Sequence, residues 1–119
     1  MTRVLFVDDE RMLLNALKCM LRGIRREWHM VFVDSGEAAL SELGKNAYDV
    51  IVTDMRMPQM DGAELLRRVA EQWPDTGRVL LSGYTDEDAR ERVANVAHAC
   101  LDKPCPATEL CAAIEQQAA

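Results

Sequence analysis

Five short apolar runs recur along the chain, and none of them shows alternation with polar residues. Most are rich in β-branched residues, which is typical of strands in a parallel sheet whose two faces are both covered. The runs are Val4–Val7, Met30–Val33, Val50–Val52, Val79–Leu81 and the weaker Ala99–Leu101. We predict that each run forms a buried strand.

An amphipathic stretch follows each run, with apolar residues at helical spacing. The first stretch is predicted to span roughly Glu10 to Ile24, and the third to stop before Pro74 because the residue before a proline disfavours helix. The apolar positions are Leu13, Leu17, Met20, Leu21 and Ile24 in the first stretch, Ala39, Leu40 and Leu43 in the second, Leu65, Leu66, Val69 and Trp73 in the third, Val93 and Val96 in the fourth, and Leu110 and Ile114 in the fifth.

Polar residues and a proline mark the predicted starts of three helices. Ser35, taken together with Asp34, is predicted to cap the second helix. Thr85 is predicted to start the fourth, with Asp88 three residues later as a variant of the capping box. Pro106 suits the first position of the fifth helix.

Regular alternation of strands and helices predicts an α/β fold. The pattern is (βα)5, which indicates a doubly wound, five-stranded parallel sheet with helices on both faces and right-handed crossovers. The length of 119 residues fits one domain, and 49% hydrophobic residues are enough for one packed core. We predict a single domain over residues 1–119.

Charge and leader signals narrow the class of protein. A net charge of −6 argues against direct binding to nucleic acid or to an anionic membrane. The N-terminus lacks the features of a signal peptide, and no apolar run approaches the length of a membrane span. The four cysteines have no C-x-x-C spacing, so a zinc site is not expected. We expect a cytoplasmic protein.

Residues at the strand ends are the candidates for chemistry, because ligands of open α/β sheets bind beyond the carboxyl ends of the strands. These residues are Asp8, Asp9 and Glu10 after the first run, Asp34 and Ser35 after the second, Thr53, Asp54 and Met55 after the third, Ser82 and Gly83 after the fourth, and Asp102, Lys103 and Pro104 after the fifth.

Acids from two of these strand ends suggest one site. Gathering Asp8, Asp9 and Asp54 without a cation would cost Coulomb energy, and Mg²⁺ removes that cost because it prefers oxygen ligands. Lys103 would add a fixed positive charge and Ser82 a hydroxyl donor. Phosphoryl transfer to a carboxylate requires such groups, since the charge on the transferring oxygens must be neutralised from several sides.

Taken singly, each of these residues has a simpler explanation. The acids after the first run suit a helix N-terminus. Asp54 alone would be a turn or cap residue, Ser82 a loop hydroxyl and Lys103 a surface lysine. Their joint placement at the carboxyl ends of the predicted strands favours a site over these separate explanations.

The motifs LFVDDE, VTDMRMPQMDG, LLSGYTD and LDKP resemble, in order and spacing, the receiver domain of two-component response regulators. The resemblance covers about Arg3 to Ile114. It implies the flavodoxin-like strand order 2-1-3-4-5. It also implies two-component signal transduction, in which the domain switches an output domain or partner and catalyses only its own phosphotransfer and autodephosphorylation, so it is not an enzyme in the usual sense.

The resemblance also implies a role for each site residue. Asp54 would be the phosphoacceptor, supplied by a sensor histidine kinase or a phosphotransfer protein, and Ser82 and Lys103 would contact the phosphoryl group. Lys103–Pro104 would be a cis peptide bond, and Gly62 would relieve crowding in the loop after Asp54. The Mg²⁺ ligands would be Asp8, Asp9, Asp54 and the backbone carbonyl of Arg56.

One departure from the family pattern concerns the switch. Receivers usually carry an aromatic residue three positions before the lysine, and this chain has Cys100 there. A thiol cannot sweep the same volume, so either another element, such as Tyr84, would report the switch or the coupling to the output would be weaker. Arg56 and Tyr84 are also bulky residues beside the path of the attacking water, which predicts slow autodephosphorylation.

The segments REWHMVFVDSGEAAL and VAHACLDKPC look most similar to receivers fused to HD-type output domains, so the chain could be one domain excised from a longer response regulator. A homodimer could form through the fourth helix, the last strand and the last helix. Three other functions stay open: a haloacid-dehalogenase-type phosphatase, an interaction module of this fold that is not phosphorylated, and a flavodoxin-like cofactor carrier. The phosphatase would carry its Asp nucleophile after the first strand, and the cofactor carrier a glycine-rich loop there.

Overall fold

The computed structural model describes residues 2–83 and 86–118, in which five strands alternate with five helices. The strands form one parallel sheet in the order β2-β1-β3-β4-β5. Both the predicted α/β fold and its strand order are confirmed. The elements are β1 Arg3–Val7, α1 Arg11–Ile24, β2 His29–Val33, α2 Gly36–Lys45, β3 Val50–Asp54, α3 Gly62–Gln72, β4 Gly77–Gly83, α4 Glu87–Val93, β5 Ala99–Lys103 and α5 Ala107–Ala118.

The two faces of the sheet bury separate apolar clusters. Along β1, Leu5 and Val7 pack in one cluster with α2, α3 and α4, while Val4 and Phe6 pack in the other with α1 and α5. All four side chains are at most 2% exposed. Burial on both faces explains why the strands are apolar throughout.

Three strands extend further than their apolar runs. The β3 ladder continues through Asp54, and β4 pairs with β5 as far as Gly83 opposite Lys103. Asp54, Ser82 and Lys103 are therefore strand residues rather than residues that follow strands. Backbone hydrogen bonding continues past the last apolar side chain, because the ladder does not depend on side-chain polarity.

The buried face of α1 is narrower than its predicted apolar stripe. Leu14 and Leu21 are its buried residues, whereas Leu13, Met20 and Ile24 remain 46%, 42% and 44% exposed. The apolar stripe of this helix is wider than its contact with the sheet. Helical spacing alone cannot show which part of a wide stripe becomes buried.

The start of α2 follows the prediction only in part. Ser35 is its N-cap, and its Oγ accepts a hydrogen bond from the Ala38 amide at 3.0 Å. Asp34 does not share this role, because its carboxylate pairs with Arg11 at 2.7 Å.

The start of α4 also needs correction. Its N-cap is Asp86, whose Oδ1 accepts a hydrogen bond from the Ala89 amide at 3.0 Å. Asp88 is therefore one residue too early for the capping-box position, and Thr85 lies outside the described residues. The helix ends at Val93, so Val96 packs against the core from the following turn.

Within residues 2–83 and 86–118, no helix has both the length and the apolar character that crossing a membrane would need.

Candidate functional site

The strand order brings the predicted site residues to one edge of the sheet. β1 and β3 are neighbours, so Asp8, which follows β1, lies beside Asp54 at the end of β3. Lys103 ends β5, two strands from β3, and its side chain reaches across the end of β4. Its Nζ lies 2.5 Å from Oδ1 of Asp54 and 3.8 Å from Oδ2 of Asp8. The lysine and both acids therefore form one site.

Three carboxylates meet at this edge. One oxygen each from Asp8, Asp9 and Asp54 lies within 4.8 Å of the others. Asp54 is buried, Asp8 is half-buried and Asp9 is exposed. The cluster is open on the Asp9 side and closed on the Asp54 side, and it consists of the hard oxygen donors that a divalent cation prefers.

Asp8 is held in an unfavourable electrostatic position. Its burial raises its pKa above the ordinary 3.8, the Glu10 amide that donates to it at 3.0 Å opposes this, and the nearby charge of Asp54 adds to the increase. Lys103 offsets only part of this repulsion. A bound cation would remove the remaining cost of placing these carboxylates together.

Ser82 lies at the same edge but its hydroxyl is engaged with β5. It is buried near the end of β4, opposite Asp102 in the ladder, and its Oγ lies 3.7 Å from Sγ of Cys100. Cys100, which the resemblance places at the position of the switch aromatic, is thus in direct contact with Ser82. Tyr84, the other predicted modulator, lies outside the described residues.

The loop after Asp54 is packed too tightly for a side chain at Gly62. A Cβ at this position would lie 2.4 Å from the Asp54 carbonyl oxygen and 2.8 Å from Cδ1 of Leu80. The Gly62 amide donates to the Met55 carbonyl at 2.8 Å, which draws the loop inward. The crowding predicted for Gly62 is confirmed. Gln59, with φ of 68°, takes the left-handed turn of this loop.

The Lys103–Pro104 peptide bond is cis, as the resemblance implies.

Within the part of the chain that the structure describes, three arginine–aspartate pairs connect this region to α4, and the sequence pattern did not indicate them. They join Arg56 to Asp86, Asp61 to Arg92 and Asp102 to Arg90. In the first two pairs the partners are 30 and 31 residues apart. Helical or strand spacing contains no signal for such contacts, because only the folded chain brings these loops together.

Comparison with known proteins agrees with this geometry. The family model for the response regulator receiver domain matches residues 4–115. The Cupriavidus necator hydrogenase transcriptional regulatory protein HoxA is 39% identical over 85 residues, covering 71% of this chain and 17% of its own length. The Pseudomonas aeruginosa response regulator protein FleR is 37% identical over 109 residues, which cover 91% of this chain and 23% of FleR.

Solved structures give the same result. A receiver domain protein from Clostridium thermocellum has a TM-score of 0.90 and 27% identity, covering 99% of this chain and 94% of its own. The signal receiver domain of an HD domain-containing protein from Pseudomonas fluorescens has a TM-score of 0.89 and 30% identity. The match covers 98% of this chain and 93% of that domain's chain. With the acidic cluster, the lysine and the cis proline all in place, the chain belongs to the response regulator receiver domain family.

Proposed function

We propose that this domain accepts a phosphoryl group on Asp54 and so transmits a signal in a two-component system. The observation that carries the proposal is the convergence of Lys103, Asp8 and Asp9 on one buried carboxylate. Because Asp54 is buried, bulk water has little access to a phosphoryl group bound there. Lys103 offsets the negative charge of the Asp54 carboxylate. The related proteins are described as regulators, which supports a signalling role.

The proposed reaction uses a carboxylate oxygen of Asp54 as nucleophile. That oxygen bonds to phosphorus while the bond from phosphorus to the imidazole nitrogen of a phosphohistidine breaks, and the nitrogen keeps the electron pair. Lys103 then pairs with the phosphoryl oxygens. Ser82 would turn its hydroxyl from Cys100 toward the same oxygens.

Mg²⁺ fits the donor set, and we assign its protein ligands to Asp8, Asp9, Asp54 and the Arg56 carbonyl. When bound, it would neutralise charge on the transferring oxygens. Asp8 and Asp9 would orient the ion on the open side of the cluster. Asp54 would keep one oxygen free for attack.

Mg²⁺ affinity is expected to rise with pH through the raised pKa of Asp8, because a proton and the cation compete for that carboxylate. Without the ion, the folded state favours the protonated form of Asp8, which contributes stability below pH 3.8. This contribution is lost as the pH rises through the folded-state pKa of Asp8. Mg²⁺ should therefore raise the melting temperature more at pH 7 than at about pH 4.5. Calorimetric titration at both values measures the affinity, and Asp8→Asn should flatten its pH dependence.

The test of the proposed function is Mg²⁺-dependent labelling by acetyl phosphate. The domain is expected to take up one phosphoryl group per chain, hold it, and release it with hydroxylamine as an acyl phosphate does. Steady release of inorganic phosphate without a labelled chain would favour the phosphatase instead. No uptake with Mg²⁺ present would favour the interaction module.

The phosphodonor partner is proposed to dock on the exposed apolar side of α1. A groove of about 520 Å³ lies between α1 and the start of α5, lined by Leu13, Met20 and Pro104. Asp8 and Lys103 lie at its edge, so a protein bound there would place its phosphohistidine beside Asp54. An exposed apolar surface of this kind is typical of a protein–protein contact.

Replacing Leu13 and Met20 with Gln should slow transfer from a sensor histidine kinase about tenfold, since burying their apolar surface contributes to complex formation. Labelling by acetyl phosphate should stay unchanged. Ile24→Gln is the matched control, because Ile24 is equally exposed on α1 but does not line the groove. Equal effects of both variants on the two donors would contradict docking at this surface.

We further propose that residues 1–119 act as the receiver unit of a longer cytoplasmic protein. The chain spans 17% and 23% of the length of the two regulators described above. The similarity to the receiver of an HD domain-containing protein supports an output domain of that type. A face made of α4, β5 and α5 is a candidate for pairing two copies.

A further inference from the structure

Helix α4 has a small apolar anchor. It is seven residues long, and only Ala89 and Val93 among them are buried. These two side chains are small, so they provide little hydrophobic stabilisation. Other contacts must contribute to holding α4 in place.

Ion pairs provide such contacts. Among the described residues, Arg56 donates to Asp86 at 2.6 and 2.9 Å, and Arg92 donates to both carboxylate oxygens of Asp61 at 2.7 and 3.2 Å. The carboxylates are the shielded partners, with side chains of Asp86 and Asp61 only 15% and 25% exposed. Asp86 is both the N-cap of α4 and a member of this charge network, because its carboxylate accepts hydrogen bonds from the Ala89 amide and from Arg56.

A third pair joins Arg90 of α4 to Asp102 of β5. Their side chains are 33% and 39% exposed, so this pair is also partly shielded. Arg90, Arg92 and Asp86 thus connect α4 and its N-cap to three different parts of the molecule.

Each of these connections ends next to the phosphoacceptor site. Arg56 is two residues after Asp54, and Asp102 directly precedes Lys103. Asp61 directly precedes Gly62, where a Cβ would lie 2.4 Å from the Asp54 carbonyl oxygen.

We propose that these three pairs form an electrostatic latch that holds α4 against the site loops and that phosphorylation weakens. The second part rests on the proposed function. An aspartyl phosphate carries about two negative charges where the free carboxylate carries one, and the added charge competes with Asp86 for the guanidinium of Arg56. The latch would carry the signal to α4 in a chain that has Cys100 instead of a large aromatic residue.

The test is amide hydrogen exchange of α4 in the whole chain, with and without Mg²⁺ and acetyl phosphate. Removing both latch arginines of α4, as Arg90→Gln with Arg92→Gln, should speed exchange of α4 by roughly two- to fivefold per pair. Raising NaCl from about 0.05 to 0.5 M should speed α4 exchange more in the wild type than in this variant, which keeps only the Arg56–Asp86 pair. Phosphorylation should speed α4 exchange in the wild type but not in Arg56→Gln, which lacks the pair that the phosphoryl group weakens and keeps its backbone carbonyl.

Arg22→Gln with Arg26→Gln is the matched control, because it removes two positive charges on the α1 side of the sheet. Unchanged α4 exchange in the latch variant relative to this control would overturn the latch. An increase of α4 exchange on phosphorylation that is as large in Arg56→Gln as in the wild type would overturn the link of the latch to the signal. Labelling is measured in every sample, so a wild type that takes up no phosphoryl group contradicts the proposed function while the salt result still tests the latch.

Discussion

Asp54→Asn is expected to abolish phosphoryl uptake from acetyl phosphate. The amide oxygen of asparagine is a poor nucleophile and forms no acyl phosphate, while the asparagine side chain has nearly the shape of aspartate. The change also removes one of three carboxylates from a crowded cluster, so the fold should keep its stability. Phosphorylated and unphosphorylated chains can be separated by intact mass, which measures the occupied fraction directly.

Asp34→Asn is the control for this substitution. Asp34 also follows a strand, but its carboxylate pairs with Arg11 on the surface. Its replacement should leave uptake unchanged. If Asp54→Asn were labelled at the rate of the wild type, the acceptor would be another residue and the proposed reaction would be wrong.

Gly62→Ala is expected to destabilise the fold by about 3 kcal/mol, at the upper end of the usual cost of overpacking. A Cβ at 2.4 Å from the Asp54 carbonyl oxygen meets backbone, which cannot move aside like a flexible side chain. Relief of the contact would shift Asp54 or the loop beside it, so labelling should also slow. Urea unfolding gives the free energy, and labelling by acetyl phosphate gives the rate.

The matched control is Gly44→Ala in α2, where a Cβ would meet no atom within 4 Å. Alanine favours helix over glycine, so this change should stabilise the fold by up to about 1 kcal/mol. Equal stability of the two variants would show that the loop after Asp54 has more room than the packing indicates.

Much of this architecture follows from the sequence because both faces of the sheet are buried. Runs such as Val4–Val7 have no polar position to place on a surface, and that pattern is typical of a parallel sheet under helices. The carboxyl ends of such strands lie at one edge, so Asp8, Asp54 and Lys103 could be assigned to one site before any distance was known.

Other features depended on three-dimensional packing. α1 carries more apolar residues than the sheet can cover, and its docking decides that Leu14 is buried while Leu13 is not. Similarly, the contact of Ser82 with Cys100 depends on the register of β4 and β5.

The sequence by itself determined the fold class, the strand ends that carry chemistry and the identity of the acidic cluster, because these depend on local periodicity and on a general property of parallel sheets. Only the tertiary structure decided which face of α1 stays exposed and which arginine meets which aspartate around α4. Those contacts join residues far apart along the chain, and long charged side chains have no preferred partner until folding brings the loops together.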